Sequence, residues 1–395
     1  PPLTDEEEHW QAPIAFGTNP CVPSDTPILT DEGYREIGSC VGREVNVWNG
    51  EEFAPVTPFS TGRNPTMFVN LSDGTSLRCT PRHQWLTWEG WSRGGHEIRK
   101  PTEGLQPGDK LSKYGMPVVH EGSMGGAAEI GVDGYSQGFY AGDGNDGLAW
   151  SWVYEPKYNC ISRLIGEVTD DGERPRKRWH HGPMLNRRFV PVEANSDYCL
   201  EWLAGLLDAD GVTTRDKNGS GYQIASIDRD FLVRTRLMLT RLGVRAKVVD
   251  ARAEGFYSLP DGKGGTAEYV CSEVSRLLIG NEDAHRLQSL GMLTNRVQQH
   301  GAPQRDARQF VRVTSVVHSD PCETFCFTEP RTNRGTFNGI VTGQCAEIIL
   351  RSEELCNLSS PIARPDDTDA DLERKVRNAA VLGTWQACLT DFRFV

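Results

Sequence analysis

The chain has 395 residues, a hydrophobic content of 37% and a formal net charge of −12. Its length suits two or three domains with cores of their own, and its 41 Gly and 23 Pro favour a loop-rich, largely β protein. The acidic charge excludes indiscriminate nucleic-acid binding over the whole surface, so any DNA contact must come from a local basic patch.

The distribution of apolar residues and cysteines excludes further classes. No run approaches the ~18 apolar residues of a membrane span, and the first residues do not resemble a signal peptide, so we expect a cytoplasmic protein without a membrane partner. Eleven cysteines without a C-x-x-C pair favour neither a disulfide framework nor a zinc site. Most of them are expected to be small buried residues.

Two short stretches more than three hundred residues apart carry nucleophiles. Cys21 follows an Asn-Pro pair, and Gln344 directly precedes Cys345. A thiol can attack the carbonyl before it and turn an amide into a thioester. A Gln side-chain amide can attack its own backbone carbonyl and cut the chain. These groups suffice to excise residues 21–344 and to join Pro20 to Cys345.

This arrangement resembles an intein, a protein-splicing element of the Hint fold, that is still flanked by segments of its host. The resemblance implies a thioester at Cys21, a branched chain after attack by Cys345, cyclisation of Gln344 and an S-to-N shift, with no cofactor. The alternative is hedgehog-like autoprocessing, which cleaves at Cys21 without ligation. The Gln344–Cys345 junction argues against it, because that process needs no nucleophile there.

The flanks resemble one interrupted protein. When the middle is left out, Asn19 and Pro20 run directly into Cys345, Ala346 and Glu347. This pattern resembles the active-site strand of a ribonucleotide reductase large subunit, most similar to class II. The resemblance implies that Cys345 carries a radical, that Asn19 and Glu347 bind and deprotonate the ribose, and that the complete host enzyme uses adenosylcobalamin. The flanks hold only 71 residues, so this chain cannot itself be a reductase.

The segment from Cys21 to about residue 128 has the pattern of short strands separated by turns, including the hairpin signal Asn49-Gly50. Thr80 and His83 then form a T-x-x-H motif that resembles the second motif of the family. An imidazole is a natural acid for the amide nitrogen that leaves when the thioester forms, and the Thr80 hydroxyl can orient that peptide. The alternative for His83 is a structural turn residue.

The closing segment, residues 304–344, is also predicted to be β and departs from the family pattern in three places. Cys326 stands where Asp is usual; a thiolate could replace that carboxylate, and a buried structural Cys is the alternative. Gly343 stands where a penultimate His is usual, and Gln344 replaces Asn. Because Gln must close a six-membered ring, we expect the last step to be slow.

The middle, residues 129–303, contains Leu203–Gly211, which reads LAGLLDADG. It resembles the LAGLIDADG motif of homing endonucleases, in which a helix capped by Asn195 or Ser196 would pack its small residues against a second such helix. Ser136–Gly144 has the same frame and is the expected partner. The resemblance implies that Asp143 and Asp210 meet and share Mg²⁺ ions for cleavage of double-stranded DNA at the insertion site in the host gene.

Basic side chains are the candidates for phosphate contacts, with a solvated loop as the alternative. The expected DNA-binding residues are Arg174, Arg176, Lys177, Arg178, Arg187 and Arg188. Lys157 or Lys247 could act as a catalytic lysine. The arginines of a predicted helix over 228–242, at 229, 234, 236 and 241, are expected on a solvent face. The short first half of this domain leaves open a splicing protein whose nuclease is an inactive remnant.

The sequence thus predicts a monomeric chain in which an all-β Hint horseshoe splicing domain carries an inserted α+β LAGLIDADG endonuclease domain. The predicted boundaries are 1–20 for the N-terminal flank, 21–128 for the first part of the splicing domain, 129–303 for the endonuclease, 304–344 for the second part of the splicing domain and 345–395 for the C-terminal flank. A helix is expected over Asp369–Cys388. Cys21, Cys322, Cys326 and Cys345 are candidates for redox control.

Overall fold

The computed structural model describes residues 21–90, 94–145, 147–170, 176–216, 219–260, 264–298, 310–344 and 367–387. Residues 21–344 belong to one compact unit, and the C-terminal helix belongs to another. The α-helices are α1 (Ala127–Ile130), α2 (Gly134–Asp143), α3 (Ser196–Asp210), α4 (Arg229–Thr240), α5 (Asn281–Ser289) and α6 (Asp369–Ala387). No helix in these described segments is long and apolar enough to cross a membrane.

The strands fall into two groups. Those of the β domain, defined here as residues 21–126 and 310–344, are β1 (Val22–Pro23), β2 (Pro27–Thr30), β3 (Gly33–Glu36), β4 (Val45–Trp48), β5 (Phe53–Val56), β6 (Phe59–Leu71), β7 (Ser76–Cys79), β8 (Gln84–Glu89), β9 (His96–Pro101), β20 (Val313–Cys326), β21 (Arg334–Phe337) and β22 (Ile340–Gly343). Those of the inserted domain, residues 127–298, are β10 (Gly144–Asn145), β11 (Leu148–Tyr154), β12 (Glu167–Asp170), β13 (Arg176–His180), β14 (Val212–Asp216), β15 (Gly219–Ser226), β16 (Ala246–Arg252), β17 (Gly255–Pro260), β18 (Thr266–Cys271) and β19 (Val274–Ile279).

Two sheets build the β domain. One has the order β1-β20-β6-β7, and the other runs β5-β4-β2-β21-β22-β8-β9 with β3 paired to β2. The closing strands β20, β21 and β22 therefore lie among strands from the opening segment in both sheets. The sequence indicates separate strand runs at 310–317 and 323–328, whereas the structure has one 14-residue strand, β20, whose register against β6 shifts at bulges.

A two-residue turn sets the position of the C-terminal junction. Asn338 and Gly339 have φ of 48° and 78°, and they join Phe337 directly to its partner Ile340. Two residues of positive φ are what a tight hairpin that follows the strand twist requires, and Asn-Gly is the preferred pair. The hairpin leads β22 to Gln344, and the pairing of Gly343 with Gln84 anchors its end on β8.

The inserted domain repeats one arrangement. Helix α2 is followed by the sheet β10-β11-β13-β12, and helix α3 is followed by the sheet β14-β15-β19-β16. Asn195 caps α3 by accepting a hydrogen bond from the N–H of Tyr198, and Leu200, Leu203 and Leu207 are buried as their spacing predicts. The predicted fold class, an all-β domain with an inserted α+β domain, is confirmed.

Helix α4 of the inserted domain packs against the β domain. Arg236 forms a buried ion pair with Asp73, which lies in the turn between β6 and β7. The Arg241 guanidinium is fully buried and donates to backbone carbonyls that include those of Val192, Val119 and Glu121. The expectation of a solvent face is therefore wrong for Arg236 and Arg241, because the periodicity of a helix cannot reveal that both of its faces are covered.

A small apolar core spans the two domains. Leu29, Tyr34 and Val119 of the β domain pack in one cluster with Leu237 of α4. The Tyr34 hydroxyl also lies 2.6 Å from the Thr240 hydroxyl. Residues before position 128 thus pack against the inserted domain.

Candidate active sites at the splice junctions and between the paired helices

The amide nitrogen of Cys21 is held by the T-x-x-H turn. Cys21 is buried, its N–H donates to the Thr80 hydroxyl at 3.1 Å, and the Thr80 N–H donates to the Cys21 carbonyl at 2.9 Å. This nitrogen belongs to the peptide bond that a thioester at Cys21 would break. The Thr80 side chain therefore contacts the atom that would leave in such a reaction.

The Cys21 thiol lies across from Cys326. Strands β1 and β20 pair Val22 with Phe325, and continuing this antiparallel register by one residue brings Cys21 opposite Cys326. Hydrogen bonding with Cys326, and to a lesser extent with the hydroxyls of Thr61 and Thr324, lowers the pKa of Cys21 although burial opposes the shift. A lower pKa favours the thiolate, which is the nucleophilic form. Cys322 lies farther along β20, opposite Asn64.

The imidazole of His83 connects the two junction strands. It is fully buried, and its Nε2 lies 2.8 Å from the hydroxyl of Thr342, two residues before Gln344. The His83 N–H donates to the Thr80 carbonyl at 3.0 Å, which closes the T-x-x-H turn. The edges of Phe337 and Trp85 pack around the ring. His83 is thus fixed between the residues that hold Cys21 and those that lead to Gln344.

Gln344 is fully buried at the end of β22, and each of its polar groups but one is bound. The Cys326 thiol donates to its Oε1 at 3.1 Å, its N–H donates to the Asn333 carbonyl at 2.6 Å, and its carbonyl accepts from Arg99 Nη1 at 3.3 Å. The remaining group, Nε2, has no partner among the described residues. It is the atom that would attack the Gln344 carbonyl.

Cys326 is therefore common to both junctions. It lies opposite Cys21 and donates to Gln344, two residues that are 323 positions apart in the sequence. The structure brings together the predicted residues Cys21, Thr80, His83, Cys326 and Gln344. Cys345, Asn19 and Glu347 lie outside the described residues. Sequence patterns missed Arg99, Thr342, Asn333, Thr61 and Thr324, since no motif marks residues that reach the site only through strand pairing.

Helices α2 and α3 pack with almost no space between their backbones. A Cβ on Gly138 would lie 1.8 Å from the Trp202 carbonyl oxygen, and a Cβ on Gly205 would lie 2.0 Å from that of Tyr135. Only glycine permits such an approach. The predicted pairing of Ser136–Gly144 with Leu203–Gly211 is confirmed.

The pairing puts the ends of both helices side by side. A Cβ on Gly142 would lie 3.3 Å from Asp210 Cγ, so the carboxylates of Asp143 and Asp210 leave their helices close together. Burial raises the pKa of Asp143 to about 6, the negative charge of Asp210 adds to this shift, and Lys157 opposes it. Lys157 Nζ lies 2.5 Å from Asp143 Oδ2. Of the two candidate lysines, Lys157 is thus the one beside a motif aspartate.

The two carboxylates suit a hard divalent cation. Mg²⁺ is usually bound by one or two carboxylates and keeps several waters, and its charge stabilises the ionised form of carboxylates that lie close together. Among the residues that the structure describes, no group of three or more His, Cys, Asp or Glu side chains is placed to hold a metal. Asp143 and Asp210 would be the residues that hold such a cation.

Hydrogen bonds from the segment after α5 hold the C-terminal end of α3 in place. Buried Asp208 accepts hydrogen bonds from the Tyr135 hydroxyl at 2.7 Å and from the N–H groups of Asn295 and Arg296 at 2.7 and 2.8 Å. The Arg296 guanidinium donates to carbonyls of the last turn, including that of Leu207 at 2.8 Å. A cation at a helix C-terminus is favourable, so these contacts fix the position from which Asp210 projects.

Three of the predicted basic residues form part of the first sheet of the inserted domain. Arg176, Lys177 and Arg178 lie on strand β13, where Arg176 stacks 3.8 Å from the ring centroid of Trp152. Arg187 donates to the carbonyl of Gly142 at 2.6 Å, and Arg188 lies 3.4 Å from Asp228. The alternative of a solvated loop is therefore wrong for 176–178. Arg174 lies outside the described residues.

A LAGLIDADG-like domain model matches residues 197–290, which contain α3 and its sheet. Two junction residues meet at one cysteine in a β domain, and a LAGLIDADG-like domain interrupts that domain. These features define the class of the chain: it has the architecture of an intein that carries an inserted LAGLIDADG-like domain.

Two subunits of ribonucleotide reductases are among the sequences to which this chain is similar. The ribonucleoside-diphosphate reductase large subunit of Invertebrate iridescent virus 6 is 33% identical over 367 residues, which cover 87% of this chain and 38% of that protein. The NrdEB subunit alpha of Bacillus subtilis is 23% identical and covers 85% of this chain and 37% of that protein. The chain thus spans less than two-fifths of the length of these relatives.

Other comparisons include a replicative DNA helicase and two solved structures. The replicative DNA helicase DnaB of Mycobacterium intracellulare is 25% identical over 60% of this chain and 45% of that protein. A mutant Ssp DnaB mini-intein covers 82% of this chain and 99% of its own at 9% identity, with a TM-score of 0.30. I-DmoI in complex with its target DNA covers 40% of this chain and 94% of its own at 14% identity, with a TM-score of 0.25.

Proposed function

We propose that residues 21–344 excise themselves and join Pro20 to Cys345. The observation that carries this proposal is the meeting of Cys21 and Gln344 at Cys326. A chain break at either end alone would not require the two ends to share a pocket. The matches to a reductase and to a helicase extend over 367 and 266 residues, whereas the flanks hold only 71. Both matches must therefore include residues 21–344, which supports an insert that can occur in unrelated proteins.

In the first step the Cys21 thiolate attacks the Pro20 carbonyl, and the Cys21 nitrogen leaves with a proton. The Thr80 hydroxyl orients this nitrogen, and His83, whose backbone N–H closes the T-x-x-H turn on Thr80, is the proposed proton donor. Cys345 then attacks the thioester to give a branched chain. Cyclisation of Gln344 releases the insert, and the S-to-N shift restores a peptide bond.

Intact mass and peptide mass spectrometry of the freshly expressed chain test this reaction. We expect a ligated product that contains the Pro20–Cys345 peptide and an excised chain of residues 21–344. Cys21→Ala should remove both products, whereas Cys40→Ala, at another buried cysteine, should not. Release of residues 1–20 without any ligated peptide would instead favour hedgehog-like autoprocessing.

We further propose that the inserted domain cleaves double-stranded DNA at the uninterrupted host gene. Asp143 and Asp210 would hold Mg²⁺, which supplies Lewis-acid activation of a phosphodiester when bound. Lys157 holds the Asp143 carboxylate at 2.5 Å, and Arg176, Lys177 and Arg178 lie on one sheet strand that could follow a phosphate backbone. The proposed location is the cytoplasm, and the proposed state is a monomer.

Nicking of a plasmid that bears the joined reductase site tests the nuclease. Asp210→Ala should abolish Mg²⁺-dependent nicking and leave splicing intact. If the wild-type protein binds the site without nicking it, the chain is a splicing protein with an inactive nuclease remnant.

We also propose that the complete host enzyme is a ribonucleotide reductase with Asn19, Cys345 and Glu347 in its active site. Its use of adenosylcobalamin is a prediction.

A further inference from the structure

We propose that Arg99 stabilises the oxyanion that forms when Gln344 cyclises, and that it does so from the space that a side chain at position 343 would otherwise take. This inference rests on the splicing reaction proposed above and assigns a catalytic group to its C-terminal step. Arg99 lies on β9, paired with Leu86 of β8, and no sequence motif includes it.

The guanidinium is aimed at the carbonyl that reacts. Arg99 Nη1 donates to the Gln344 carbonyl oxygen at 3.3 Å, and Nη2 donates to the Thr332 carbonyl at 3.0 Å. The contact with Thr332 fixes the orientation of the planar guanidinium, because Nη1 and Nη2 belong to one rigid group. The bond to Gln344 is at the long end of the hydrogen-bond range in the ground state. It can therefore shorten as negative charge develops on the oxygen, which is the condition for selective stabilisation of a transition state.

The absence of a side chain at Gly343 makes room for this contact. A Cβ on Gly343 would lie 3.4 Å from Arg99 Nη1 and 3.0 Å from Gln84 Cβ. Any larger side chain that extends from that Cβ would compete with the guanidinium for the same space. The glycine and the arginine are thus two parts of one arrangement.

The cyclisation of Gln344 needs no further reactant, because one bond forms as another breaks and one proton is transferred. The bond from Gln344 Nε2 to the Gln344 carbonyl carbon forms, and the bond from that carbon to the Cys345 nitrogen breaks. Nε2 loses one proton and the leaving nitrogen gains one. The Cys326 thiol, which donates to Oε1 at 3.1 Å, would stabilise the side-chain amide as it loses its proton, and Arg99 would stabilise the carbonyl oxygen.

The test measures the two ends of the full chain separately. Release of residues 345–395 reports on the Gln344 carbonyl, and release of residues 1–20 by an added thiol reports on the thioester at Cys21. Arg99→Ala should slow the first release by about 100-fold, the lower end of the effect of removing one oxyanion donor, and change the second by less than about twofold. Arg331→Ala is the matched control, because this exposed arginine lies next to Thr332, which Arg99 contacts, but pairs with Glu52 instead.

Two measurements separate catalysis from structure. Arg99→Lys should retain part of the rate, and guanidinium ion added at a concentration that leaves Arg331→Ala unchanged should accelerate the C-terminal release of Arg99→Ala. Equal loss of both releases in Arg99→Ala and Arg99→Lys, an unchanged C-terminal release, or no response to guanidinium would each overturn the assignment. If the wild-type chain releases neither end, the splicing proposal fails and this inference fails with it.

Discussion

Replacing Gly205 by Ala should disable the nuclease and spare splicing. The added Cβ would lie 2.0 Å from the Tyr135 carbonyl oxygen and 2.8 Å from the Phe139 nitrogen, whereas real Cβ atoms essentially never come within 3.0 Å of such atoms. The two helices must therefore move apart by about 1 Å at their crossing. Overpacking of this kind costs about 1–3 kcal/mol, and both atoms that the methyl meets are backbone, so we expect the upper end.

The same displacement reaches the two motif carboxylates. Asp143 and Asp210 leave the ends of these helices, so a shift at the crossing changes the distance between them. A misplacement of about 1 Å can reduce a rate about 100-fold. The contacts of α4 with the β domain do not involve Gly205, so formation of the ligated product should keep its rate.

The assay compares Gly205→Ala with Gly115→Ala, whose added Cβ meets nothing within 4 Å. Nicking of a plasmid with the joined reductase site, thermal unfolding and splicing are measured for both variants. We expect slow nicking and a lower unfolding temperature for Gly205→Ala alone. Wild-type nicking together with wild-type unfolding in Gly205→Ala would refute the close helix approach on which this reasoning depends.

Three further changes have defined outcomes. Gln344→Asn should speed release of the C-terminal flank on a denaturing gel, because a five-membered ring closes more readily than a six-membered one. Cys326→Ala removes the main cause of the lowered pKa of Cys21, so the pH at which thiol-induced N-terminal cleavage rises should move upwards. Asp73→Ala leaves buried Arg236 without its ion-pair partner, so urea unfolding should show a loss of about 3–5 kcal/mol.

Each of these outcomes has a clear contrary result. Unchanged or slower release would contradict the ring-size argument for Gln344. An identical pH profile in Cys326→Ala and in the control Cys40→Ala would show that Cys326 does not influence the first thiol. A loss below about 1 kcal/mol for Asp73→Ala would mean that water reaches the ion pair, as it does at surface pairs.

Local patterns predicted the elements of this protein better than their assembly. The hairpin at Asn49-Gly50 and the motif of α3 can be read from the sequence, because a turn signal or an apolar face depends on neighbouring residues. Even the degenerate motif of α2 was recognisable from the spacing of Gly138 and Asp143. Arg99 was not recognisable, since its contact with Gln344 depends on β9, β8 and β22 lying side by side.

The arginines of α4 show the same limit. Arg234 is exposed as its position suggests, but Arg236 and Arg241 are buried by contacts with the β domain. When a helix packs against other elements on two sides, it buries charged residues at positions that helical periodicity predicts to be exposed to solvent. The strand β20 was divided into two runs in the prediction because its bulges interrupt the alternation of apolar residues.

The apolar cluster of Leu29, Tyr34, Val119 and Leu237 has an evolutionary consequence. A point mutation at Asp210 could silence the nuclease at no cost to its carrier. Deleting the whole nuclease would instead leave Leu29 and Tyr34 facing water and Asp73 without its counter-ion. Inteins of this kind should therefore lose their endonuclease activity long before they lose the endonuclease fold, unless compensating changes resurface the splicing domain.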